Sequence, residues 1–237
     1  MPVFAELTAF LRASLLDPAP AASEPPGAIR RRRVVVAVTA VLGALALGSS
    51  LAIRPGDPLF YPATIGIAAI WLVGAFASGP LRLGRGRTRA GGTSRAVLQG
   101  LILGGSLLAV FLAGAVVVGR VPWLRGPVDG LLAHAGFGAL PVVAAITALN
   151  GVAEEVFFRG AVFAALPRWR VGLSTVVYAL ATAPSGVPLL IFAAAALGTV
   201  TGLQRRATGG VSGPIVTHLT WSLGMLLALP WALDVGS

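Results

Sequence analysis

The chain has 237 residues, of which 56% are hydrophobic and 11% are charged, and its mean hydropathy is +0.87. This balance excludes a single water-soluble core, because several stretches are apolar over the roughly 20 residues that a bilayer-spanning helix needs. The net charge of +10 comes from arginines that flank the apolar runs, which indicates membrane topology rather than binding to nucleic acid.

Residues 1–33 are predicted to form a partly disordered tail on the cytoplasmic side. Prolines at positions 18, 20, 25 and 26 are not compatible with a long helix. Apolar residues before these prolines recur at helical spacing, which predicts a short helix on the membrane surface. The apolar run after Arg33 reaches Ile53, which is too long for the core of a signal peptide and predicts a retained first span.

Seven apolar stretches predict an all-α bundle of about seven transmembrane helices, at residues 34–53, 59–79, 96–119, 137–165, 171–184, 187–203 and 213–231. They divide the chain into the tail, N-terminal transmembrane helices and loops over 34–136, a membrane-embedded core over 137–231, and a short C-terminal tail at 232–237. The fourth stretch becomes charged after Leu149, so we expect that helix to break or bend near its cytoplasmic end. Spans five and six are separated by a Pro-Ser-Gly turn, which predicts a helical hairpin.

Arginines are concentrated in alternate connections, at Arg30 to Arg33, Arg82, Arg85, Arg87, Arg89, Arg95, Arg168, Arg170, Arg205 and Arg206. The opposite connections hold only Arg54, Arg120 and Arg125. Because cytoplasmic loops are enriched in basic residues, seven spans put the N-terminus in the cytoplasm and the C-terminus outside. We therefore expect a multi-pass protein of a bacterial plasma membrane.

Three charged residues lie together inside the fourth stretch. Glu155 and Arg159 are four residues apart on one helical face, which predicts an ion pair. Glu154 points about 100° away on a helix of roughly 3.6 residues per turn, so Arg159 is not expected to pair with both acids. A carboxylate without a cationic partner in a low-dielectric site suits a general base that acts on water. The simpler alternative is a structural salt bridge at the membrane interface.

In the last stretch, His218 and Ser222 are four residues apart and share a helical face. An isolated intramembrane histidine is often only a hydrogen-bonding group between helices. Here a separate helix carries acids, and ionisable groups in membranes face one another or a wet cavity. The pattern therefore favours a site shared by the two helices.

The segment Glu154-Glu155-Val156-Phe157-Phe158-Arg159-Gly160 resembles the E-E-x-x-x-R-G signature of the CAAX prenyl protease and bacteriocin-processing family, also called the abortive-infection family of intramembrane glutamic endopeptidases. The resemblance covers residues 137–230. The family's F-x-x-x-H motif corresponds to residues 178–182, which begin with Tyr178 and have Thr182 in place of the histidine. Its H-x-x-x-N motif corresponds to residues 218–222, where Ser222 replaces the asparagine.

The resemblance implies an intramembrane peptidase in which Glu154 activates a water that attacks a peptide carbonyl. His218 and Ser222 would donate hydrogen bonds to the developing oxyanion. Thr182 could position the water but cannot accept its proton at neutral pH. The residues expected to support the site are Asn150, Glu155, Arg159 and Tyr178.

No cofactor is expected for this mechanism, and the alternative is a divalent metal such as zinc held by Glu154 and His218. The chain has no cysteine, and a catalytic zinc takes three protein ligands, so the supply of donors is small. His134 is expected in an external loop without a role. The expected partners are the lipid bilayer and a peptide or protein substrate, including one anchored in the membrane, and not nucleic acid.

Two other functions stay open at this level. Thr182 and Ser222 depart from the family pattern, which would suit a weakened or non-catalytic member that binds membrane partners. A small transporter is the third alternative, but the chain lacks the internal repeat that transporter folds use.

Overall fold

The computed structural model describes residues 2–20, 25–88 and 92–235. Within these residues the helices are α1 (Pro2–Leu11), α2 (Pro26–Leu51), α3 (Phe60–Ser78), α4 (Val97–Val118), α5 (Pro122–Gly136), α6 (Leu140–Glu155), α7 (Phe163–Ala165), α8 (Arg170–Thr182), α9 (Pro188–Thr208) and α10 (Ser212–Val235). Wide π-helical turns extend α1 over Arg12–Leu16 and join α6 to α7 over Val156–Val162. A small antiparallel hairpin pairs β1 (Gly86–Arg87) with β2 (Thr93–Ser94). The predicted all-α fold is confirmed.

Six helical segments of the described residues are long and apolar enough to cross a membrane, at Pro26–Leu51, Phe60–Ser78, Val97–Val118, Leu140–Ala165, Pro188–Thr208 and Ser212–Val235. The fourth of them combines α6, the π-helical turns and α7. The prediction of a multi-pass helical membrane protein is therefore confirmed. The predicted fifth span differs in length, because α8 has only 13 residues. A helix of that length reaches about 20 Å at roughly 1.5 Å per residue, which is less than the roughly 30 Å hydrocarbon core. It still packs against α9 as the expected hairpin.

The arginine-rich connections meet at one end of the bundle, which we call the arginine-rich end. Arg33 donates from Nε to the carbonyl oxygen of Ala165 at 3.1 Å, which joins the start of α2 to the end of α7. The backbone N–H of Arg85 donates to the carbonyl oxygen of Thr208 at 2.9 Å, which joins the loop after α3 to the end of α9. Arg89, which belongs to the predicted pattern, lies outside the described residues.

The connections that are poor in arginine meet at the opposite end, which we call the arginine-poor end. His134 of α5 lies with Nε2 2.8 Å from the carbonyl oxygen of Ile53, just after α2. Arg125 of α5 forms an ion pair with Asp234 of α10 at 2.9 Å. The charge alternation in the sequence thus corresponds to the two ends of the bundle, and which end faces the cytoplasm stays a prediction.

Helix α2 begins at Pro26, well before the predicted boundary at residue 34. Proline suits the start of a helix because its missing N–H would have had no intrahelical partner there. The arginines at 30–33 consequently lie in the first turns of the helix. The fully buried Arg32 donates to the hydroxyl of Ser78 at 3.1 Å and to the carbonyl oxygen of Pro80 at 3.0 Å. Arg32 therefore binds the C-terminal end of α3, in addition to any effect on topology.

Helices α2 and α3 pack directly behind the charged motif. The indole of Trp71 stacks on Phe157, with 4.8 Å between ring centroids, and contacts Phe158 at 5.1 Å. Gly43 of α2 makes this possible, since a Cβ at that position would lie 2.0 Å from the Trp71 ring. The N-terminal half of the chain therefore helps to hold the motif helix in place.

Candidate active site

The charged motif lies where an α-helix becomes a π-helix. Glu154 and Glu155 end α6, and the π-helical segment Val156–Val162 carries Arg159. The helix continues through this region, so the break or bend expected from the sequence is replaced by wider turns, and residues 155–163 are all buried. Single π-helical turns inside α-helices are frequent at functional sites.

Glu155 and Arg159 lie at ion-pair distance on one face of this helix, as their spacing predicts. Arg159 Nε is 3.3 Å from Glu155 Oε2, and neither side chain is exposed. The guanidinium also lies 4.6 Å above the ring centroid of Tyr178. Gly198 of α9 leaves room for it, because a Cβ there would be 3.1 Å from Arg159 Nη2. The arginine is thus enclosed on several sides by α8, α9 and its own helix.

Glu155 also contacts His218 of α10. Its Oε1 lies 3.0 Å from His218 Nδ1, across a separation of 63 residues in the sequence. One carboxylate therefore bridges a guanidinium and an imidazole. A carboxylate on one ring nitrogen fixes the orientation of a histidine and leaves the other nitrogen, here Nε2, for other partners. From the sequence, Glu155 was expected to pair with Arg159 alone, because residue spacing carries no information on distances between separate helices.

Glu154 forms no ion pair with Arg159 in the described part of the chain, whereas Glu155 does. Its carboxylate accepts a hydrogen bond from the hydroxyl of Tyr178 on α8. The ring of Tyr178 also packs on Phe158, with 4.6 Å between centroids. Tyr178 therefore contacts two charged side chains of the motif. Its hydroxyl donates to Glu154, and its ring lies under the guanidinium of Arg159.

A cavity of about 710 Å³ begins at this cluster. It continues past Leu51, the last residue of α2, toward the arginine-poor end, and most of the side chains that line it are apolar. The structure brings six of the residues singled out from the sequence to its wall, namely Asn150, Glu154, Tyr178, Thr182, His218 and Ser222. Glu155 and Arg159 lie behind the wall as a buried pair.

The two hydroxyl groups at the motif positions differ in their bonding. Thr182 Oγ1 donates to the carbonyl oxygen of Ala179 in its own helix at 2.8 Å. Ser222 Oγ is buried and has no hydrogen-bond partner among the described residues. The buried Ser222 hydroxyl must therefore turn toward the cavity before it can donate to a ligand there, whereas Thr182 can offer a ligand only its oxygen lone pairs.

Helix α5 is a feature that the sequence interpretation missed. Its 15 residues lie at the arginine-poor end and are interrupted by Pro127, so they do not resemble a membrane span. Residues Val128, Leu131, Leu132 and Ala135 of α5 line the cavity. Their spacing of i, i+3, i+4 and i+7 marks one face of a helix, and this signal would have found the element.

His134 also differs from its expected place in an external loop. It lies on α5, is buried and lines the cavity. Its Nδ1 is 3.0 Å from the carbonyl oxygen of Gly130, and its Nε2 contacts the carbonyl oxygen of Ile53. Both ring nitrogens are therefore engaged with backbone atoms at the end of the cavity away from the charged cluster.

The residues at the site do not fit a catalytic zinc. Within residues 2–20, 25–88 and 92–235, no three His, Asp or Glu side chains form a group that could hold a metal ion. Glu154 and His218 share the cavity, and Glu155 is fully buried behind its wall, where it contacts Arg159 and His218. A catalytic zinc takes three protein ligands, so the alternative with Glu154 and His218 lacks its third.

A comparison with known families identifies this part of the chain. Residues 134–224 match the family model described as "Type II CAAX prenyl endopeptidase Rce1-like". The matched segment contains all of the cluster, from Asn150 to Ser222, and excludes α2 and α3. Among curated proteins and among solved structures, none matches the chain.

Proposed function

Because residues 134–224 carry a domain of the Rce1-like type II CAAX prenyl endopeptidase family, we propose that the chain is an intramembrane endopeptidase that uses a glutamate-activated water. One observation carries the proposal. Glu154, His218 and Ser222 line one apolar cavity between membrane-spanning helices, and the Ser222 hydroxyl has no hydrogen-bond partner among the described residues. A base and two hydrogen-bond donors facing one cavity are the groups that peptide hydrolysis by water requires.

Glu154 is the proposed general base. It lines the cavity and accepts a hydrogen bond from the hydroxyl of Tyr178, and it forms no ion pair with Arg159 in the described part of the chain. A carboxylate that accepts this hydrogen bond on one oxygen still has lone pairs to accept a proton from water. Tyr178 is accordingly a positioning residue, because it acts on Glu154 and not on the reacting atoms.

The charges of the cluster suit this role. Glu154, Glu155 and Arg159 together carry one negative charge, so one proton on either Glu154 or His218 makes the buried cluster neutral. Neutrality matters because an uncompensated buried charge costs about 3–5 kcal/mol. In the reactive form Glu154 is ionised and His218 holds a proton on each nitrogen. Glu155 then accepts from Nδ1–H, and Nε2–H remains to donate to the substrate.

The proposed reaction proceeds in two steps. The water oxygen bonds to the peptide carbonyl carbon while Glu154 takes one of the water protons, and the carbonyl oxygen becomes an oxyanion. His218 Nε2–H and the Ser222 hydroxyl donate to that oxyanion, and one well-placed donor contributes about 10²–10³ in rate. The carbon–nitrogen bond then breaks, and the proton held by Glu154 passes to the amine nitrogen that leaves.

The apolar wall of the cavity favours a substrate with apolar side chains next to the cleaved bond. Its lining residues reach from the cluster toward the arginine-poor end, so we propose that the peptide occupies this part of the bundle. Burial of apolar surface contributes about 25 cal/mol per Å², and this term would dominate substrate affinity.

The test is a cleavage assay with the full chain in lipid nanodiscs and a library of apolar peptides, with products identified by mass spectrometry. We expect cleavage at one bond by the parent and none by Glu154→Gln, which keeps the shape of the side chain but removes the base. His218→Ala should lower the rate about 10²–10³-fold. Equal cleavage by the parent and by folded Glu154→Gln would contradict the mechanism.

A second function is supported by one specific observation. Thr182 stands at the position of the second-motif histidine, and its hydroxyl donates within its own helix. A member weakened in this way could retain the cavity and bind a membrane partner without cleaving it. This alternative predicts that apolar peptides bind the parent and Glu154→Gln equally and that neither protein cleaves them.

A further inference from the structure

A second cavity, of about 720 Å³, lies at the arginine-rich end of the bundle and shares no lining residue with the cavity of the proposed active site. Its walls come from the extended segment after α1, the loop between α7 and α8, and the C-terminal end of α9. Five arginines line it, at Arg82, Arg168, Arg170, Arg205 and Arg206. No Asp or Glu among the described residues lines it.

Arg205 carries a buried positive charge at this cavity. It is only 9% exposed, and its guanidinium carbon lies 5.1 Å from the ring centroid of Phe163. The charged groups that act on it most strongly are Arg170 and Arg82, and both repel it. None of the three has a carboxylate partner within the part of the chain that the structure describes. Such a concentration of like charge favours a bound anion.

The guanidinium groups are also held in fixed positions. Arg205 donates from Nε to the carbonyl oxygen of Arg159 at 2.7 Å, and Arg170 donates from Nε to that of Leu166 at 2.8 Å. The terminal amino groups of both side chains donate to no protein acceptor among the described residues. Paired guanidinium donors match the geometry of phosphate oxygens, which arginine binds through two parallel hydrogen bonds.

The neighbouring Trp169 indicates where this cavity lies in the membrane. It lines the cavity between Arg168 and Arg170, is 80% exposed, and has φ of 52°. Tryptophan is enriched at the head-group level of bilayers, where an amphipathic ring is favoured. Basic pockets between transmembrane helices bind anionic head groups. The location favours a lipid over a phosphate ion from solution.

We propose that the cavity formed by Arg82, Arg170 and Arg205 binds the phosphate of an anionic phospholipid head group. This site is separate from the proposed catalytic groups, and its occupancy does not depend on whether the chain cleaves peptides. Inorganic phosphate offers the same oxygen atoms, so the experiment must distinguish the two sources.

The test measures lipid binding to the purified full chain by native mass spectrometry, with phosphatidylglycerol, with zwitterionic phosphatidylcholine, and with inorganic phosphate alone. The variant Arg82→Gln/Arg170→Gln removes two charges from the cavity and leaves the buried Arg205 in place. Neither replaced side chain is buried, so we expect the fold to be preserved. The matched control is Arg85→Gln/Arg95→Gln, which removes two exposed charges from the same end but outside the cavity. Melting temperatures without added lipid verify that both variants fold.

We expect phosphatidylglycerol to bind the parent and the control with similar affinity, and the cavity variant about tenfold or more weakly. Phosphatidylcholine and inorganic phosphate should bind the parent much more weakly than phosphatidylglycerol. An equal loss in the control would indicate general attraction to charge and overturn the proposal. Binding of phosphatidylcholine to the parent as tightly as phosphatidylglycerol would overturn the proposal as well. So would tight binding of inorganic phosphate to a parent that does not bind phosphatidylglycerol.

Discussion

Replacement of Arg159 by methionine should destabilise the protein through Glu155. Methionine keeps a long side chain next to the Tyr178 ring but removes the positive charge. Glu155 is then left as a fully buried carboxylate whose remaining polar contact is Nδ1 of His218 at 3.0 Å. The perturbation therefore creates a buried charge with one partner instead of two.

The magnitude follows from the geometry. Breaking a buried ion pair by removing one partner costs about 3–5 kcal/mol. Loss of the cation over the Tyr178 ring adds roughly 1 kcal/mol. A proton on His218 can replace part of the lost positive charge, so we place the total near the lower end, at about 3–4 kcal/mol. For a chain of this size that loss lowers the melting temperature by roughly 6–16 °C.

The assay is thermal melting of the purified protein in one detergent, for the parent, Arg159→Met, Glu155→Gln and the double variant. The double variant removes both charges, so it should melt higher than Arg159→Met. The coupling free energy between the two positions should be at least about 1 kcal/mol. A melting temperature of Arg159→Met within 2 °C of the parent, or effects that simply add, would refute the argument that a buried pair holds the motif helix.

Three further predictions concern packing, positioning and topology. Gly43→Ala should destabilise the protein by about 1–3 kcal/mol, because the added Cβ would meet the ring of Trp71. The control Gly66→Ala has open space around the added Cβ, so it should melt at the same temperature as the parent or higher. Tyr178→Phe removes only the hydroxyl on Glu154, so it should lower kcat with little change in melting temperature, and an unchanged kcat would remove its positioning role. Reporter fusions at the C-terminus should be active outside the cytoplasm, and cytoplasmic activity alone would reverse the proposed orientation.

Hydropathy predicted the long helices correctly because lipid offers no hydrogen-bond partner to the backbone, so only long apolar helices or barrels can cross it. The start of α2 was missed because Arg30 to Arg33 resemble a loop. The structure shows that Arg32 instead binds groups at the end of α3. Arg32 was therefore misread because its partners lie 46 and 48 residues away in the sequence.

At the site, too, a contact within one helix could be predicted from the sequence, whereas a contact between helices could not. The spacing of Glu155 and Arg159 predicted their contact, because residues four apart on a helix are neighbours by geometry. The contact of Glu155 with His218 joins two helices 63 residues apart, and no spacing rule covers it. Helix α5 was missed for a different reason, since its short amphipathic pattern does not reach the length of a membrane span.

The proposed function depends on Glu154 as the base of a hydrolytic site that is weakened at Thr182. The most direct measurement is the rate of peptide cleavage in nanodiscs by the parent, Thr182→His, Glu154→Gln and the Thr182→His/Glu154→Gln double variant, at equal amounts of folded protein. A histidine at position 182 can share the activated water, so Thr182→His should be faster than the parent by about 10-fold or more. Both proteins with glutamine at position 154 should be inactive. Cleavage that persists in either glutamine variant, or absence of cleavage in both Thr182→His and the parent, would contradict the account.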